Sequence, residues 1–160
     1  MDKLLDEYMK RIQAGDTKAM NEIALIFQNS CQNKEAEKWF LKAIDAGDYE
    51  YANNLGYFYA TQNNSKKAEK YYIIAIKNGD LNALNNLAVL YEQNGKNEKA
   101  EEYYLKAVEK NCEGARNNLL IFYNKTNQTK KEKDIYLHLA WKNDANAMNH
   151  LGMILAGEGK

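Results

Sequence analysis

The chain repeats a short pattern with a fixed period of 32 residues. Each copy opens on a Gly or Asn, followed in most copies by Asp: Gly15-Asp16, Gly47-Asp48, Gly79-Asp80, Asn111-Cys112 and Asn143-Asp144. No residue is inserted or deleted between these copies. Units of this length cannot bury their own apolar faces, so they must stack on their neighbours. The constant period therefore predicts a solenoid rather than a globule.

The copy at residues 79–110 shows what one unit contains. Its first half carries apolar residues at helical spacing: Leu84, Leu87, Ala88 and Tyr91. Its second half does the same with Ala100, Tyr103, Tyr104, Ala107 and Val108. Apolar residues spaced in this way form one face of an amphipathic helix. Each copy is therefore predicted to fold as two helices, separated in this copy by a break at residues 93–96.

Residues suited to helix ends recur at matching positions. Five residues that tolerate a left-handed backbone are predicted to close helices: Gly15, Gly47, Gly79, Asn111 and Asn143. The Asp that follows most of them can cap the next helix. Four more cap residue types, Asn33, Ser65, Asn97 and Thr129, are predicted N-caps of the second helices, and Thr129 with Glu132 fits a capping box.

Small residues predict where the two helices of a copy approach closely. They align in the first helix at Ala24, Gly56, Ala88 and Gly152, and in the second at Ala36, Ala68 and Ala100. The fourth copy departs from this rule, because Leu120 and Glu132 replace the small residues. We expect its helix pair to sit wider or rotated, with locally altered curvature.

The pattern resembles a known repeat family. The run from Ala83 to Tyr91, followed by Ala100, Tyr103-Tyr104 and Ala107, is similar to the tetratricopeptide repeat. Residues 42–48 and 54–56 lean towards the related SEL-like repeat. The chain lacks the Pro after the second helix and is two residues shorter there, which bears on superhelical pitch. The resemblance implies an all-α fold, a right-handed α-solenoid of stacked antiparallel helix pairs with about ten helices.

The register of the repeat predicts the domain organisation. We expect one repeat domain over residues 1–160, with a half repeat at 1–14, repeats at 15–46, 47–78, 79–110 and 111–142, and a half repeat at 143–160. The last helix would leave Leu151, Ile154 and Leu155 partly uncovered, where solenoids normally carry a polar cap. Two explanations stay open: the chain is a fragment of a longer array, or the half repeats complete one another between molecules.

Proteins of the resembled family line a concave groove with their first helices, and two polar columns stand there in this chain. They are Asn21, Asn53, Asn85, Asn117 and Asn149, and next to them Glu22, Asn54, Asn86, Asn118 and His150. Carboxamides both donate and accept, so such a ladder suits an extended peptide. The same side chains could instead brace neighbouring helices, and the sequence leaves open which column faces the groove.

An apolar stripe lies one helical turn further along: Leu25, Tyr57, Val89, Ile121 and Met153. If exposed, it would take apolar anchors from a partner; if the superhelix curves tightly, it is core. The candidate partner-binding residues are thus Asn53, Asn54, Tyr57, Asn85, Asn86, Val89, Asn117, Asn118, Ile121, Asn149 and His150. Only Lys18 and Lys125 supply cations around them, so binding of an acidic tail is not expected.

Other classes of function find little support. The two His residues, His138 and His150, have no aligned nucleophile or carboxylate pair, so we expect no enzyme, no catalytic residue, no metal site and no cofactor. Basic and acidic side chains balance at 22 each, which argues against nucleic acid as a partner. Cys31 and Cys112 are predicted to be free thiols. With no signal-peptide or membrane-spanning pattern, we expect a cytoplasmic chain that does not enter membranes.

The function expected from the sequence is that of a scaffold or adaptor. A peptide or segment of a partner protein, of unknown identity, would lie in the groove of first helices. The alternative is a structural module that self-associates through its half-repeat ends.

Overall fold

The computed structural model describes residues 2–112 and 114–158. Within these ranges the chain forms ten α-helices and one short 3₁₀ segment, Tyr49–Tyr51, and no strand. The helices are α1 (Asp2–Gln13), α2 (Thr17–Asn29), α3 (Asn33–Asp45), α4 (Ala52–Thr61), α5 (Ser65–Lys77), α6 (Asn82–Gln93), α7 (Asn97–Glu109), α8 (Ala115–Lys125), α9 (Thr129–Trp141) and α10 (Ala145–Glu158). The predicted all-α fold with about ten helices is confirmed.

The chain divides into two compact units, Met1–Cys112 and Glu113–Lys160. In the first unit α2 packs on α3, α4 on α5 and α6 on α7, and successive pairs meet through α3–α4 and α5–α6 contacts. In the second unit α9 contacts both α8 and α10. The stacking of neighbouring helix pairs, which the 32-residue period requires, is thus present within each unit.

The predicted helix ends are largely confirmed. All five predicted left-handed residues have positive φ, from 54° at Asn111 to 94° at Gly79. The carboxylates of Asp16, Asp48, Asp80 and Asp144 each accept a hydrogen bond from a backbone N–H at the start of the next helical segment. These side chains satisfy amides that a helix start leaves without an intrahelical partner.

The predicted N-caps of the second helices are wrong by one residue. Asn33, Ser65, Asn97 and Thr129 are the first helical residues, because the preceding carbonyls already accept the first helical hydrogen bond, as from Ala36 N to Gln32 O. Among the true caps of the second helices α3, α5, α7 and α9, only Asn64 uses its side chain, accepting from Lys67 N. The capping box at Thr129 does not form, since the cap of α9, Gln128, makes no side-chain cap bond.

The core of the first unit sets small residues against aromatic rings. Ala24, Gly56 and Ala88 are buried, as the sequence predicted for sites of close helix approach. Gly56 shows how tight this approach is: an added Cβ would lie 2.6 Å from Cδ1 and 2.7 Å from Cε1 of Tyr72. Tyr72 is itself 2% exposed. The packing of α4 on α5 therefore depends on the absence of a side chain at residue 56.

The second unit has a different core. Leu120, Tyr136, Leu139 and Ala147 form a buried cluster, and Ile135, Leu151 and Ile154 pack against it. Contact between α8 and α9 is much sparser than in the three helix pairs of the first unit. A large side chain at residue 120, where the other copies have Ala or Gly, keeps the helices apart. The predicted wider spacing of this pair is in line with the sparse contact.

The two thiols are free, as predicted. Cys31 is exposed and adopts a left-handed backbone with φ of 58°. Cys112 donates from Sγ to the carbonyl of Leu81 at 3.2 Å, and burial, followed by the nearby Asp80, raises the pKa of its thiol.

Candidate functional site

Carboxamides on successive first helices hydrogen-bond to each other in the first unit. Asn54 of α4 donates from Nδ2 to Oδ1 of Asn21 in α2, at 3.2 Å. Asn86 of α6 donates in the same way to Asn53 of α4, at 2.9 Å. Asn21 is only 4% exposed, and a buried acceptor without a partner would be costly. The two columns of the sequence therefore pair with one another and brace neighbouring first helices.

This bracing uses only part of each carboxamide. A carboxamide carries two donor hydrogens and two acceptor lone pairs. Among residues 2–112, the side-chain bond of Asn53 engages only its Oδ1, and that of Asn86 only its Nδ2. Both residues are half-buried, whereas Asn85 is already engaged elsewhere. The Nδ2 group of Asn53 and the Oδ1 atom of Asn86 thus keep capacity for a ligand.

The apolar stripe is exposed at most of its positions. Tyr57 is 56% exposed, Ile121 51% and Met153 62%, whereas Val89 is half-buried. Large apolar side chains normally avoid water, and an exposed one gains contact area when a partner covers it. The stripe is therefore available for contacts in each unit and is not simply core.

Tyr57 and Val89 border a cavity of about 240 Å³ between α4, α5 and α6. Its lining consists of Tyr57, Ala60, Thr61, Tyr72, Asn86, Val89, Leu90 and Gln93. No charged side chain belongs to this set. The structure thus brings together three predicted residues, Tyr57, Asn86 and Val89. Asn53, Asn54 and Asn85 do not line the cavity.

Two aligned tyrosines of the second helices differ in how their hydroxyls are used. Tyr104 of α7 donates from Oη to a carboxylate oxygen of Glu92 at 2.7 Å. In the preceding repeat the aligned pair is Tyr72 and Ala60, and within the described residues Tyr72 Oη has no hydrogen-bond partner. Burial raises the pKa of both phenols. The cavity lies where the second repeat lacks the carboxylate that the third repeat has.

The second unit contains a larger cavity of about 640 Å³. It is lined by Asn117, Leu120, Ile121, Asn124, Lys125, Glu132, Tyr136 and His150. His150 stacks on Tyr136, with ring centroids 5.1 Å apart and planes at 13°. The predicted residues Asn117, Ile121 and His150 therefore come together here. Asn118 and Asn149 do not line this cavity, the first being half-buried and engaged and the second exposed.

Five lining residues of the first cavity were not among the predicted binding residues: Ala60, Thr61, Tyr72, Leu90 and Gln93. One signal was available, because Ala60 stands where the next copy has Glu92. That difference predicts a pocket only once it is known that residue 60 lies near Tyr72 of the paired helix.

A second set of hydrogen bonds joins the first repeat to the second and the second to the third, away from this cavity. Tyr59 donates from Oη to Glu37 at 2.7 Å, and Tyr91 donates to Glu69 at 2.8 Å. Lys67 adds an ion pair to Glu37 at 2.9 Å. The hydrogen bond from Lys67, followed by that from Tyr59, lowers the pKa of the Glu37 carboxyl. This set is structural, since each member is already paired within the protein.

The described residues include no group of three or more His, Cys, Asp or Glu side chains that could hold a metal ion. None of the helices in the described ranges combines the length and the apolar character that crossing a bilayer requires. His138, the other histidine of the chain, is exposed on α9.

Residues 81–109, which include α6 and α7, match the family model described as tetratricopeptide repeat. No match is found among curated proteins. The SEL-like subtype stays a prediction.

Three solved structures share the fold. BtubC from P. vanneervenii is 18% identical with a TM-score of 0.72, covering 99% of this chain and 81% of that one. The structure of pilF from Pseudomonas aeruginosa is 19% identical with a TM-score of 0.65, covering 88% and 75%. A tetratricopeptide repeat protein from Parabacteroides merdae is 15% identical with a TM-score of 0.65, covering 97% and 73%. The tetratricopeptide repeat is thus matched directly at residues 81–109, and the fold of these structures is shared over most of the chain.

Proposed function

We propose that this chain is a non-catalytic protein-interaction scaffold that binds an extended segment of a partner protein along its first helices. One observation carries the proposal. In the first unit, exposed Tyr57 and half-buried Val89 stand beside Asn86, whose Oδ1 is unused, around an uncharged cavity. An extended peptide offers main-chain donors and acceptors together with apolar side chains, which this surface complements. Tetratricopeptide repeats generally mediate protein–protein interaction, and that supports the proposal.

The remaining candidate residues take different parts in this proposal. Asn54, Asn85 and Asn118 are half-buried and engaged, so we assign them to bracing the helices that carry the contacts. Asn117, Ile121 and His150 form a separate contact site in the second unit. Asn149 is exposed on α10 and is assigned to polar contact with the partner.

A peptide selection with matched variants tests the proposal. A random peptide library is panned on the full chain, and the affinity of selected peptides is measured by fluorescence polarisation. Tyr57→Ala should weaken binding about tenfold, because truncating an aromatic anchor typically costs ~1–2 kcal/mol or more. Leu105→Ala is the control, since Leu105 is 45% exposed but lies on α7, away from the cavity lining. Equal effects of the two variants, or a selection without binders, would contradict the proposal.

Self-association is a second candidate, favoured by apolar exposure in the second unit. Met148 is 45% exposed, Met153 62% and Leu155 48% on α10, and Trp141 at the end of α9 is 87% exposed. Light scattering across a concentration series tests this candidate. Self-association predicts a mass that rises with concentration and falls in Met153→Glu, whereas a constant monomeric mass would remove it. Met153 is a better probe than Leu151 or Ile154, which pack against the cluster of the second unit.

A further inference from the structure

The third repeat shows what satisfies a buried tyrosine hydroxyl at this place in the fold. Tyr104 is 1% exposed, and its hydroxyl donates to the Glu92 carboxylate at 2.7 Å. The carboxylate comes from the first helix of the same repeat. In the second repeat Tyr72 keeps the aromatic ring and the hydroxyl, but Ala60 supplies no acceptor.

The Tyr72 hydroxyl opens into the cavity left by this change. The side chain is 2% exposed, and its Oη has no hydrogen-bond partner among residues 2–112. Yet in the described part of the chain no side-chain nitrogen or oxygen is sealed from solvent without a partner. The hydroxyl must therefore reach open space, and the space beside it is the 240 Å³ cavity that Tyr72 lines together with Tyr57. A hydroxyl donor without a protein partner thus faces the pocket.

We propose that this cavity is a recognition pocket for one uncharged carboxamide side chain, that of a glutamine in the bound peptide. The Tyr72 hydroxyl donates to the glutamine oxygen, and Asn86 Oδ1 accepts from its amide hydrogens, since Asn86 Nδ2 is committed to Asn53. This inference rests on the proposed function and names what one position of the partner must be.

Size and charge select this occupant over others. Small-molecule and cofactor sites usually span about 300–1,000 Å³. At about 240 Å³ the cavity is smaller than these sites and has room for a side chain of a bound segment. A carboxylate would lose hydration without meeting a cation, because the lining contains no charged residue. An apolar side chain would cover the Tyr72 hydroxyl and leave it unpaired. A glutamine provides the acceptor, the donor and an apolar stem for Val89 and Leu90.

Two substitutions test the pocket with peptides selected from the random library. Tyr72→Phe removes the donor alone and should weaken a selected peptide about threefold to tenfold, the usual effect of one neutral hydrogen bond. Ala60→Glu supplies the internal carboxylate that the third repeat already has, so it should fill the pocket and weaken binding more than about tenfold. Its thermal midpoint should stay unchanged or rise, because the Glu92–Tyr104 pair shows that the fold accommodates this contact.

A matched control and a peptide change complete the experiment. Tyr104→Phe removes an equivalent hydroxyl that Glu92 already occupies, so it should leave affinity unchanged. Replacing the selected glutamine by methionine, which has similar length and no carboxamide, should abolish the effect of Tyr72→Phe. We expect glutamine to be enriched at one position of the selected peptides.

The outcomes separate this pocket from the broader function. Peptides that need Tyr57 but show no glutamine preference, or bind equally to Ala60→Glu, would overturn the pocket and leave the scaffold function standing. Enrichment of aspartate or glutamate would overturn the uncharged occupant. A library that yields no binder would remove both.

Discussion

A methyl group added at Gly56 tests how tightly the first and second helices of a repeat are packed. In Gly56→Ala the new Cβ would lie 2.6–2.7 Å from two ring carbons of Tyr72, well inside van der Waals contact. The ring is 2% exposed and belongs to the paired helix, so it cannot swing into solvent. The strain must be relieved by a shift of Tyr72 or of α4 against α5.

Two opposing effects set the change in the free energy of unfolding of Gly56→Ala. Overpacking of this kind costs about 1–3 kcal/mol. Replacing Gly by Ala inside a helix contributes about 0.5–1 kcal/mol in the other direction. The third repeat has Ala88 aligned with Gly56 and Tyr104 aligned with Tyr72, so the helix pair can adjust to a methyl group. We therefore expect a net loss of about 1 kcal/mol in the free energy of unfolding, or about 2–4 °C in Tm for a chain of this size.

The chain offers both a probe and a control for this measurement. Trp39 is 7% exposed in α3 of the first unit, so its fluorescence in a Trp141→Phe background reports urea unfolding of that unit. Gly152 aligns with Gly56, but an added Cβ there meets nothing within 4 Å. Gly152→Ala, followed by circular dichroism, should therefore stabilise the protein by about 0.5–1 kcal/mol. If Gly56→Ala stabilised to the same extent, the argument from close packing would be refuted.

Three further predictions follow from single residues. Cys31→Gly should raise the free energy of unfolding in urea by about 0.5–1 kcal/mol. The left-handed backbone of Cys31, with φ of 58°, costs an L-residue about 1–2 kcal/mol, and the larger entropy of Gly in the unfolded chain offsets part of that gain. Gly95→Ala, at the matching position with φ of 68°, should destabilise the protein, and a lower stability of Cys31→Gly would contradict the argument from backbone strain. Asn21→Ala should lower the free energy of unfolding by about 1–2 kcal/mol, because it removes the acceptor of Asn54 at a residue that is 4% exposed. Asn149→Ala, at the exposed matching position, should change it by less than ~0.5 kcal/mol. Similar changes in the two variants would refute the bracing role of Asn21. The lowered pKa of Glu37 means that its ion pair stabilises the fold above the ordinary Glu pKa and loses this effect as pH falls through the folded-state pKa. The stability difference between wild type and Glu37→Gln should thus shrink between about pH 5 and pH 3, and a difference that does not change with pH would contradict the assignment.

The features that the sequence predicted well are those set by local backbone rules. The five left-handed residues and the Asp caps recur in nearly every copy, so each copy supports the reading of the others. Two of the four residues that were wrongly predicted as second-helix caps use their side chains in another way. Asn33 donates to Gln62 at 2.9 Å and Ser65 to Asn94 at 3.0 Å, across neighbouring repeats. A polar residue near a helix start can therefore join repeats instead of capping, and only the three-dimensional arrangement separates the two.

The same limit explains why the carboxamide columns were found but their roles were not. Asn54 and Asn86 each donate to a residue 33 positions earlier, one more than the repeat length, so the pairing joins one column to the other. A repeat-by-repeat alignment compares residues 32 positions apart, within one column, and so does not show a pairing between residues of the two columns.

Selectivity for a partner is to be sought where the copies differ. Identical repeats present identical surfaces, which can add affinity but cannot fix the register of a bound segment. Ala60 opposite Tyr72 breaks that uniformity, because the next repeat satisfies the same hydroxyl with Glu92. A pocket with one unpaired donor discriminates through the penalty of leaving that donor unpaired, which a wrong side chain incurs and a right one avoids. The geometry that the repeats share thus supplies the platform, and in our proposal Ala60, which stands where the next repeat has Glu92, supplies the pocket that distinguishes one partner side chain from another.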